Sequence, residues 1–308
     1  APLFHLADAG VLQSFQKTQE NKKMKKFAPL LFFLLCFMAA AQPPQRIISG
    51  APNFTEILFA LELGERLVAV TDFCKYPPEA MRKEKIGGYI NPNMEKIISL
   101  HPNLVIIPKT KSELPKKLAR LNIPVLELPN ESVADVLHAV SAIAERCGVP
   151  AMGTHLKTQM ENELAQLQSR FADKPKVRTL LVVSRAPDSL KDIYAAASGT
   201  FLDELLNIAG GENVFAKQPA LYPKISRESL IAFNPDVILD MTFFNTTHTT
   251  DTMQTALKPW YDLPVINAVK HRRVYLITDP SLTIQGARLP QSARLIADLI
   301  HKNEEDKP

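Results

Sequence analysis

Short aliphatic runs alternate with amphipathic segments along most of this chain. The runs RIIS (46–49), LVAVT (67–71), LVIIP (104–108) and VLELP (125–129) have the length and β-branched composition of buried strands. Segments between them, such as SVADVLHAVSAIAERCG at 132–148, repeat apolar residues every three or four positions, which predicts helices. In NFTEILFALEL, Asn53 is expected to cap the helix. The alternation predicts an α/β fold with mostly parallel sheets and helices on their faces.

One segment, 151–174, interrupts this alternation. It contains no glycine or proline after Gly153, and it repeats apolar residues at helical spacing at Leu156, Met160, Leu164 and Leu167. This pattern predicts one helix of about six turns. The strand–helix alternation then restarts, so we expect two Rossmann-like lobes joined by one long helix, and lobes that face each other would leave a ligand cleft between them. The predicted divisions are 1–41 (an upstream segment and signal peptide), 42–148 (N-terminal lobe), 149–174 (linking helix) and 175–303 (C-terminal lobe).

The beginning of the chain has the pattern of a secretory signal peptide. From Met24, taken as the start, two lysines precede the apolar run Leu30–Met38, and the small residues Ala39–Ala41 form a cleavage site. An uncleaved anchor is the alternative interpretation. Cys36 follows a leucine where a lipoprotein signal would have a small residue, which argues against a lipid anchor. We therefore expect a periplasmic protein whose mature form begins near Gln42.

Export changes the charge balance of the chain. Residues 1–41 hold five lysines and two acidic residues, so the mature chain carries 31 basic and 30 acidic residues. A nearly neutral surface gives no electrostatic footprint for nucleic acid. Cys74 and Cys147 remain, and in an exported protein they form either a disulfide or a pair of free thiols.

One sequence unit occurs twice. YINPNMEKIISLHPNLVII begins at Tyr89, YPKISRESLIAFNPDVILD begins at Tyr222, and the two match at a constant offset of 133 residues. Each copy predicts a turn, an N-cap (Asn93 or Ser226), a helix that stops before a proline, and a strand.

The repeat also suggests a binding site. Tyr89 and Tyr222 precede helices, where open α/β sheets bind ligands, and two facing lobes would bring both rings to one cleft. Aromatic rings suit a flat or bulky apolar ligand, although ordinary packing is the alternative for both tyrosines. Glu95 and Glu228 lie in the first helical turn, where a carboxylate also compensates the helix dipole.

Other function classes find little support in the sequence. The seven histidines are scattered without ligand spacing, so no metal site is predicted. His248, in the polar loop FFNTTHTTDT, is either a ligand for the metal of a chelate or a solvated side chain. There is no G-x-S-x-G elbow, P-loop, G-x-G-x-x-G or H-E-x-x-H motif, so we expect no enzyme and no resident cofactor.

Five blocks, in order, resemble one family: the periplasmic binding proteins of vitamin B12 and iron–siderophore ABC importers. The resemblance extends from about Arg46 to Ile300, and TDFCKYPPEA and GGYINPN are most similar to the cobalamin-binding branch. The blocks are RIISGAPNFTEILFAL, LVAVTDFCKYPPEA, GGYINPNMEKIISLHPNLVI, SGTFLDELLNIAGGENVF and YPKISRESLIAFNPDVIL.

The resemblance implies that the linking helix is rigid and that the protein delivers a ligand to an ABC permease without catalysis, and we expect it to be monomeric. It implies that Glu95 and Glu228, one per lobe, meet arginine pockets on the permease. It also implies aromatic cleft walls at Phe73, Tyr89 and Tyr222. Two of these walls are tryptophans in the cobalamin-binding relative, so another corrinoid, a ferric siderophore or haem is the alternative cargo. Arg185 and Asp279 fall at cleft-facing positions, where they would meet polar groups of the ligand or remain solvated loop charges.

Overall fold

A computed structural model describes residues 42–186, 188–242 and 250–302 of the chain. Within these ranges, the residues from Pro44 onward form one compact unit that contains two β-sheets. The α-helices are α1 (Pro52–Ala60), α2 (Met94–Ser99), α3 (Leu114–Arg120), α4 (Val133–Arg146), α5 (Pro150–Arg170), α6 (Phe201–Ile208), α7 (Arg227–Phe233), α8 (Thr250–Tyr261), α9 (Asn267–Lys270) and α10 (Leu289–Ile300). Short 3₁₀ helices are Gly64–Arg66, Pro78–Arg82 and Pro280–Thr283. The signal peptide and His248 lie outside the described residues.

The N-terminal sheet is parallel throughout, with strand order β3-β2-β1-β4-β5. Its central strands are continuous apolar runs because both faces of a parallel sheet are covered by helices, and every residue of β4 is buried. All five strands therefore end at the same edge of the sheet. The strands are β1 (Ile47–Ser49), β2 (Leu67–Val70), β3 (Glu84–Lys85), β4 (Leu104–Pro108) and β5 (Val125–Leu128).

The C-terminal sheet is mostly parallel, with order β11-β10-β6-β7-β9, and β8 also pairs with β6. Only β7 runs antiparallel to its neighbours β6 and β9. The two sheets confirm the predicted α/β class. These strands are β6 (Val177–Ser184), β7 (Ile193–Ala195), β8 (Gly211–Asn213), β9 (Lys224–Ile225), β10 (Val237–Asp240) and β11 (Val274–Leu276).

The sequence repeat is also a repeat in space. Ile47 lies opposite Leu104 where β1 pairs with β4, and Thr179 lies opposite Val237 where β6 pairs with β10. Leu104 and Val237 occupy matching positions of the two sequence copies. Each copy thus places its helix and strand beside the first strand of its own lobe.

Helices α2 and α7 begin in the predicted way. The Asn93 side chain accepts a hydrogen bond from the backbone N–H of Lys96 at 2.9 Å. The Ser226 hydroxyl accepts one from the N–H of Ser229 at 3.2 Å. Both N-caps satisfy a donor that the first helical turn leaves without an intrahelical partner.

The same two helices also end alike. Each is followed by a residue in the left-handed region, His101 with φ 45° and Asn234 with φ 42°, and then by proline. In each lobe, an arginine at or near the start of the first strand donates hydrogen bonds to the carbonyl groups at the end of the helix. Arg46 donates to Leu100 and His101, and Arg178 donates to Phe233 and Asn234.

Helix α5 joins the two sheets. It begins at Pro150, since proline suits the first helical position, and ends at Arg170, four residues before the predicted end. Its buried side chains, Met160, Leu164 and Leu167, belong to a core cluster that includes residues from β1 to α10. The predicted divisions at 148 and 174 stay a prediction, because the lobes share this core along α5.

Two further expectations are resolved by the structure. Asn53 is not the N-cap of α1: Ala51 occupies that position without a side-chain cap, because the helix starts at Pro52, two residues earlier than a cap at Asn53 would place it. Cys74 and Cys147 are buried free thiols. Burial raises the pKa of Cys147 to about 11 and that of Cys74 above its usual value, so both stay protonated near neutral pH.

Candidate functional site

Phe73 and Tyr89 are exposed aromatic residues on two neighbouring loops of the N-terminal lobe. Phe73 follows the carboxyl end of β2, and the N–H of Asp72 donates to the carbonyl of Gly87 at 3.1 Å. A Cβ atom placed on Gly88 would lie 3.7 Å from the Phe73 ring. Phe73 is 58% exposed and Tyr89 is 46% exposed, although rings of this size usually pack against the protein. The structure therefore places Phe73 beside the loop that leads into Tyr89, and both side chains are exposed.

Tyr222, in the C-terminal lobe, lies within electrostatic range of Glu131 in the N-terminal lobe. Burial, and then the charge of Glu131 in the loop after β5, raise the pKa of Tyr222 above its usual value. Two residues further on, at the first residue of α4, the backbone N–H of Val133 donates to the carboxylate of Glu204 on α6 at 2.7 Å. Tyr222 is still 45% exposed, almost the same fraction as Tyr89. Each lobe thus presents one half-exposed tyrosine at the same position of the repeat.

Asp279 lies in a cluster around the guanidinium of Arg288. Its carboxylate caps a 3₁₀ helix by accepting from the N–H of Ser281 at 2.8 Å, and it lies 3.9 Å from Arg288 Nη1. Arg288 also donates to both carboxylate oxygens of Glu56, at 2.6 and 3.1 Å. The guanidinium carbon lies 4.0 Å from the centre of the Tyr76 ring, which is a cation–π contact. The Asp279 side chain is 52% exposed and lies next to the positive charge of Arg288.

The ion pair between Glu56 and Arg288 connects the two lobes. Glu56 lies on α1 in the N-terminal lobe, and Arg288 precedes α10 in the C-terminal lobe. Burial raises the pKa of Glu56, and the hydrogen bonds from Arg288 oppose that rise. The net stability that such a pair adds is small, because both charges lose hydration on burial.

Sequence reasoning missed Glu56, Tyr76 and Arg288. One signal was available for Glu56: it is an acid inside an otherwise apolar helical stretch, FTEILF. Their cluster also borders a pocket of about 430 Å³ between α1, α5 and the start of α10. The pocket's lining does not include Tyr89 or Tyr222. The lining includes Glu56, Phe59, Tyr76, Met160, Glu163 and Arg288.

Arg185 requires a correction, because its side chain is buried in the C-terminal core and does not face a cleft. Its Nε donates to Asp240 at 2.7 Å, and both side chains are fully buried. Its Nη2 donates to the carbonyl of Ala256 at 2.7 Å, and the indole N–H of Trp260 shares the Asp240 carboxylate at 3.0 Å. A buried guanidinium needs several acceptors, and here the protein supplies them.

The carboxylates of Glu95 and Glu228 lie exposed in the first turns of α2 and α7. The backbone N–H of Glu228, together with the Ser226 hydroxyl, holds the pKa of Glu228 below its usual value. The negative charge therefore persists at neutral pH. A charge of this kind on each lobe can pair with arginine on a partner.

No group of three or more His, Cys, Asp or Glu side chains able to hold a metal ion occurs in the part of the chain that the structure describes. Across the same residues, no helix has the length and hydropathy needed to cross a membrane.

A profile of the periplasmic binding protein family matches residues 47–280, which is well over half of the chain. The chain belongs to the periplasmic binding protein family. This confirms the resemblance found in the sequence blocks. Family members bind small molecules outside the cytoplasm, deliver them to ABC permeases and do not catalyse reactions.

Individual comparisons agree with this assignment. A vitamin B12-binding protein of Vibrio parahaemolyticus is 32% identical over 219 residues, covering 70% of this chain and 77% of that protein. The structure of the periplasmic vitamin B12 binding protein of Vibrio cholerae matches with a TM-score of 0.71 at 24% identity, covering 86% and 99% of the two chains. A periplasmic heme-binding protein from Roseiflexus sp. RS-1, in apo form, gives 0.70 at 24% identity, covering 83% and 99%. The two structures establish that this family member shares their fold.

Proposed function

We propose that this protein captures cobalamin or a related corrinoid between its lobes and delivers it to an ABC permease. The observation that carries the proposal is the pair of half-exposed tyrosines, Tyr89 and Tyr222, one per lobe at matching positions of the repeat. Phe73 extends the aromatic surface on one lobe. Asp279, beside Arg288, supplies polar contacts for the amide groups at the rim of a corrinoid. Large rings stacked between aromatic side chains bury apolar area without much loss of side-chain entropy.

The choice of a corrinoid rests on relatives. The vitamin B12-binding protein of Vibrio parahaemolyticus is the relative with the stronger sequence identity among those compared above. Haem or a ferric siderophore is the second candidate. A tyrosine phenolate can ligate haem iron, and this chain has phenols where the resemblance leads us to expect tryptophan. The heme-binding protein from Roseiflexus shares the fold at the same identity as the B12-binding structure.

Calorimetric titration of residues 42–308 with cyanocobalamin, haemin and a ferric siderophore in parallel tests the proposal. One-to-one binding of cyanocobalamin supports the corrinoid. If only haemin or the siderophore binds, the proposed ligand is wrong and the transport role stands. No binding of any of the three would reject a ring-containing or metal-chelate ligand.

Tyr222→Ala is expected to weaken binding of the accepted ligand by about tenfold or more, because it removes one aromatic wall. Tyr261→Ala is the matched control. Tyr261 is similarly exposed, at 49%, but it ends α8 and so lies away from the edge where the strands terminate. An equal loss in both variants would contradict the assignment of Tyr222.

We assign permease docking to Glu95 and Glu228. The double variant Glu95→Ala/Glu228→Ala is expected to keep its ligand affinity and to abolish uptake in cells. Both carboxylates are exposed on short helices and are not among the proposed ligand contacts, so ligand binding has no reason to change. A large loss of ligand affinity in this variant would reject the division of roles.

The same proposal includes lobe boundaries at 148 and 174, a monomeric state, and export through residues 24–41. The Glu56–Arg288 pair and the bond from Val133 to Glu204 support a small closure on binding, because both already connect the lobes. Small-angle scattering with and without ligand is expected to give nearly equal radii of gyration.

N-terminal sequencing of the exported protein is expected to begin near Gln42.

A further inference from the structure

Ile98 and Ile231 are exposed at matching positions of the repeat. Ile98 is 45% exposed on α2, and Ile231 is 46% exposed on α7. The residue before each of them, Ile97 or Leu230, is fully buried. Each helix therefore has the apolar residue that its core needs, and it carries a second one that the fold leaves in water.

These isoleucines lie beside the proposed docking carboxylates. Ile98 is three residues after Glu95, and Ile231 is three residues after Glu228. Side chains three apart on a helix are neighbours, with Cβ atoms about 5–6 Å apart. Each lobe thus presents a patch of one carboxylate and one isoleucine, called here the Glu–Ile patch.

A single exposed apolar residue needs no explanation, because much of any protein surface is apolar. Here the same residue type is exposed to the same extent at both copies of the unit, although the sequences around the two copies differ. The matching burial along α2 and α7 makes these positions alike in structure and not only in alignment. A shared requirement outside the fold accounts for this better than chance exposure at two equivalent positions.

We infer that Ile98 and Ile231 are apolar anchors of the docking surface, and that the partner is the ABC permease of the proposed function, on which this inference rests. Each isoleucine would enter an apolar recess next to the cationic site that receives the carboxylate. Desolvated apolar contacts around a charge pair are the arrangement found at the energetic centres of protein interfaces.

The charge of the Glu–Ile patch selects this partner over two others. A second copy of the same patch would bring carboxylates together, and an anionic lipid surface would also repel them. A partner that offers a basic site beside an apolar recess, and offers it twice, is complementary to the two lobes. A permease built from two equivalent subunits meets that requirement.

The test uses the double variant Ile98→Ser/Ile231→Ser and the permease–ATPase complex for the ligand identified by calorimetry, reconstituted in lipid nanodiscs. We expect docking to weaken about tenfold for each single variant and about 100-fold for the double variant. Binding of cyanocobalamin, haemin or the siderophore, whichever the protein accepts, is expected to stay unchanged. Since both side chains are exposed, the melting temperature is also expected to be close to that of the unmodified protein.

Leu121→Ser is the matched control. Leu121 lies in the same lobe as Ile98, is 46% exposed and caps the end of α3. It is expected to leave docking unchanged. Salt provides a second readout, because exposed charge pairs weaken with ionic strength and apolar contacts do not. The serine variants are expected to keep the salt dependence of the unmodified protein, whereas Glu95→Ala/Glu228→Ala is expected to reduce it.

The outcomes separate this inference from the proposed function. If the glutamate variant loses docking and the serine variant docks like the unmodified protein, the anchors are rejected and the transport role stands. If Leu121→Ser weakens docking as much as Ile98→Ser, the specific role of Ile98 is rejected. If the unmodified protein does not dock at all, the proposed function fails and this inference fails with it.

Discussion

The two copies of the helix–strand unit, 89–107 and 222–240, agree in backbone structure and differ in core chemistry. Both helices begin at a polar N-cap and end at a left-handed residue before proline. In both, an arginine from near the start of the lobe's first strand caps the last carbonyl groups. These features depend on groups within or next to the unit, so they can be kept while the surroundings change.

The copies differ at the end of the strand. Ile107 of β4 and Asp240 of β10 occupy matching positions, and both are buried. Ile107 packs in an apolar cluster, whereas Asp240 accepts hydrogen bonds from Arg185 and Trp260. One backbone position thus serves an apolar core in one lobe and a charged network in the other. The difference teaches that the repeat determines where a side chain points and that the neighbours determine what it must be.

The largest expected effect comes from removing the buried charge of Asp240. Asp240→Asn keeps the side-chain volume but removes the carboxylate from a buried guanidinium, and we expect it to cost about 3–5 kcal/mol of unfolding free energy. Ile107→Val, the matched change in the other lobe, is expected to cost about 1 kcal/mol. Urea denaturation of both variants measures the contrast. Similar losses would show that the charged network matters no more than apolar packing.

A double variant sharpens the same point. Arg185→Met/Asp240→Leu removes both charges, so it is expected to be more stable than Asp240→Asn in the same urea experiment. Replacing a buried ion pair by apolar side chains avoids leaving one charge unpaired. A double variant less stable than the single one would indicate that packing around Trp260 dominates.

A medium effect concerns the arginines that cap the two helices. Arg178→Met is expected to cost about 2 kcal/mol, since charged hydrogen bonds to partly buried carbonyl groups are lost. Arg46→Met is expected to cost about 1 kcal/mol, because Arg46 is exposed and water replaces its hydrogen bonds. The measurement is again the free energy of unfolding in urea. If Arg46→Met lost more unfolding free energy than Arg178→Met, solvent exposure would not determine how much these hydrogen bonds stabilise the helix ends.

The smallest expected effect concerns pH and the C-terminal lobe. His301 stacks on Phe171 with ring centres 4.0 Å apart, and its Nε2–H donates to the carbonyl of Ala209 at 2.9 Å. Burial lowers the pKa of His301 below its usual value. The unfolded chain therefore takes up the proton first, so this contribution to stability is complete above the unfolded pKa and is lost as pH falls through it.

His301→Gln is expected to flatten the fall in melting temperature between about pH 7 and pH 5, where an ordinary histidine titrates. The other histidines are unchanged in this variant, so the difference from the unmodified protein reports on His301 alone. An identical pH dependence in both proteins would assign the titration to another group.

The sequence by itself determined the α/β class, the repeat and the two N-caps, Asn93 and Ser226. Each of these follows from interactions between residues a few positions apart: apolar periodicity, a polar side chain before a helix, and proline after one. The sequence blocks also identified the family. The exposure of Tyr89 and Tyr222 agrees with their place just before helices.

Only the tertiary structure decided which charges are buried and which residues connect the lobes. Arg185 looks like a loop charge in the sequence, but its partner Asp240 is 55 residues away. Glu56 and Arg288 are separated by 232 residues, and no local pattern relates them. A charged side chain can leave water only where distant segments supply its partners, and those partners come together only when the whole chain has folded.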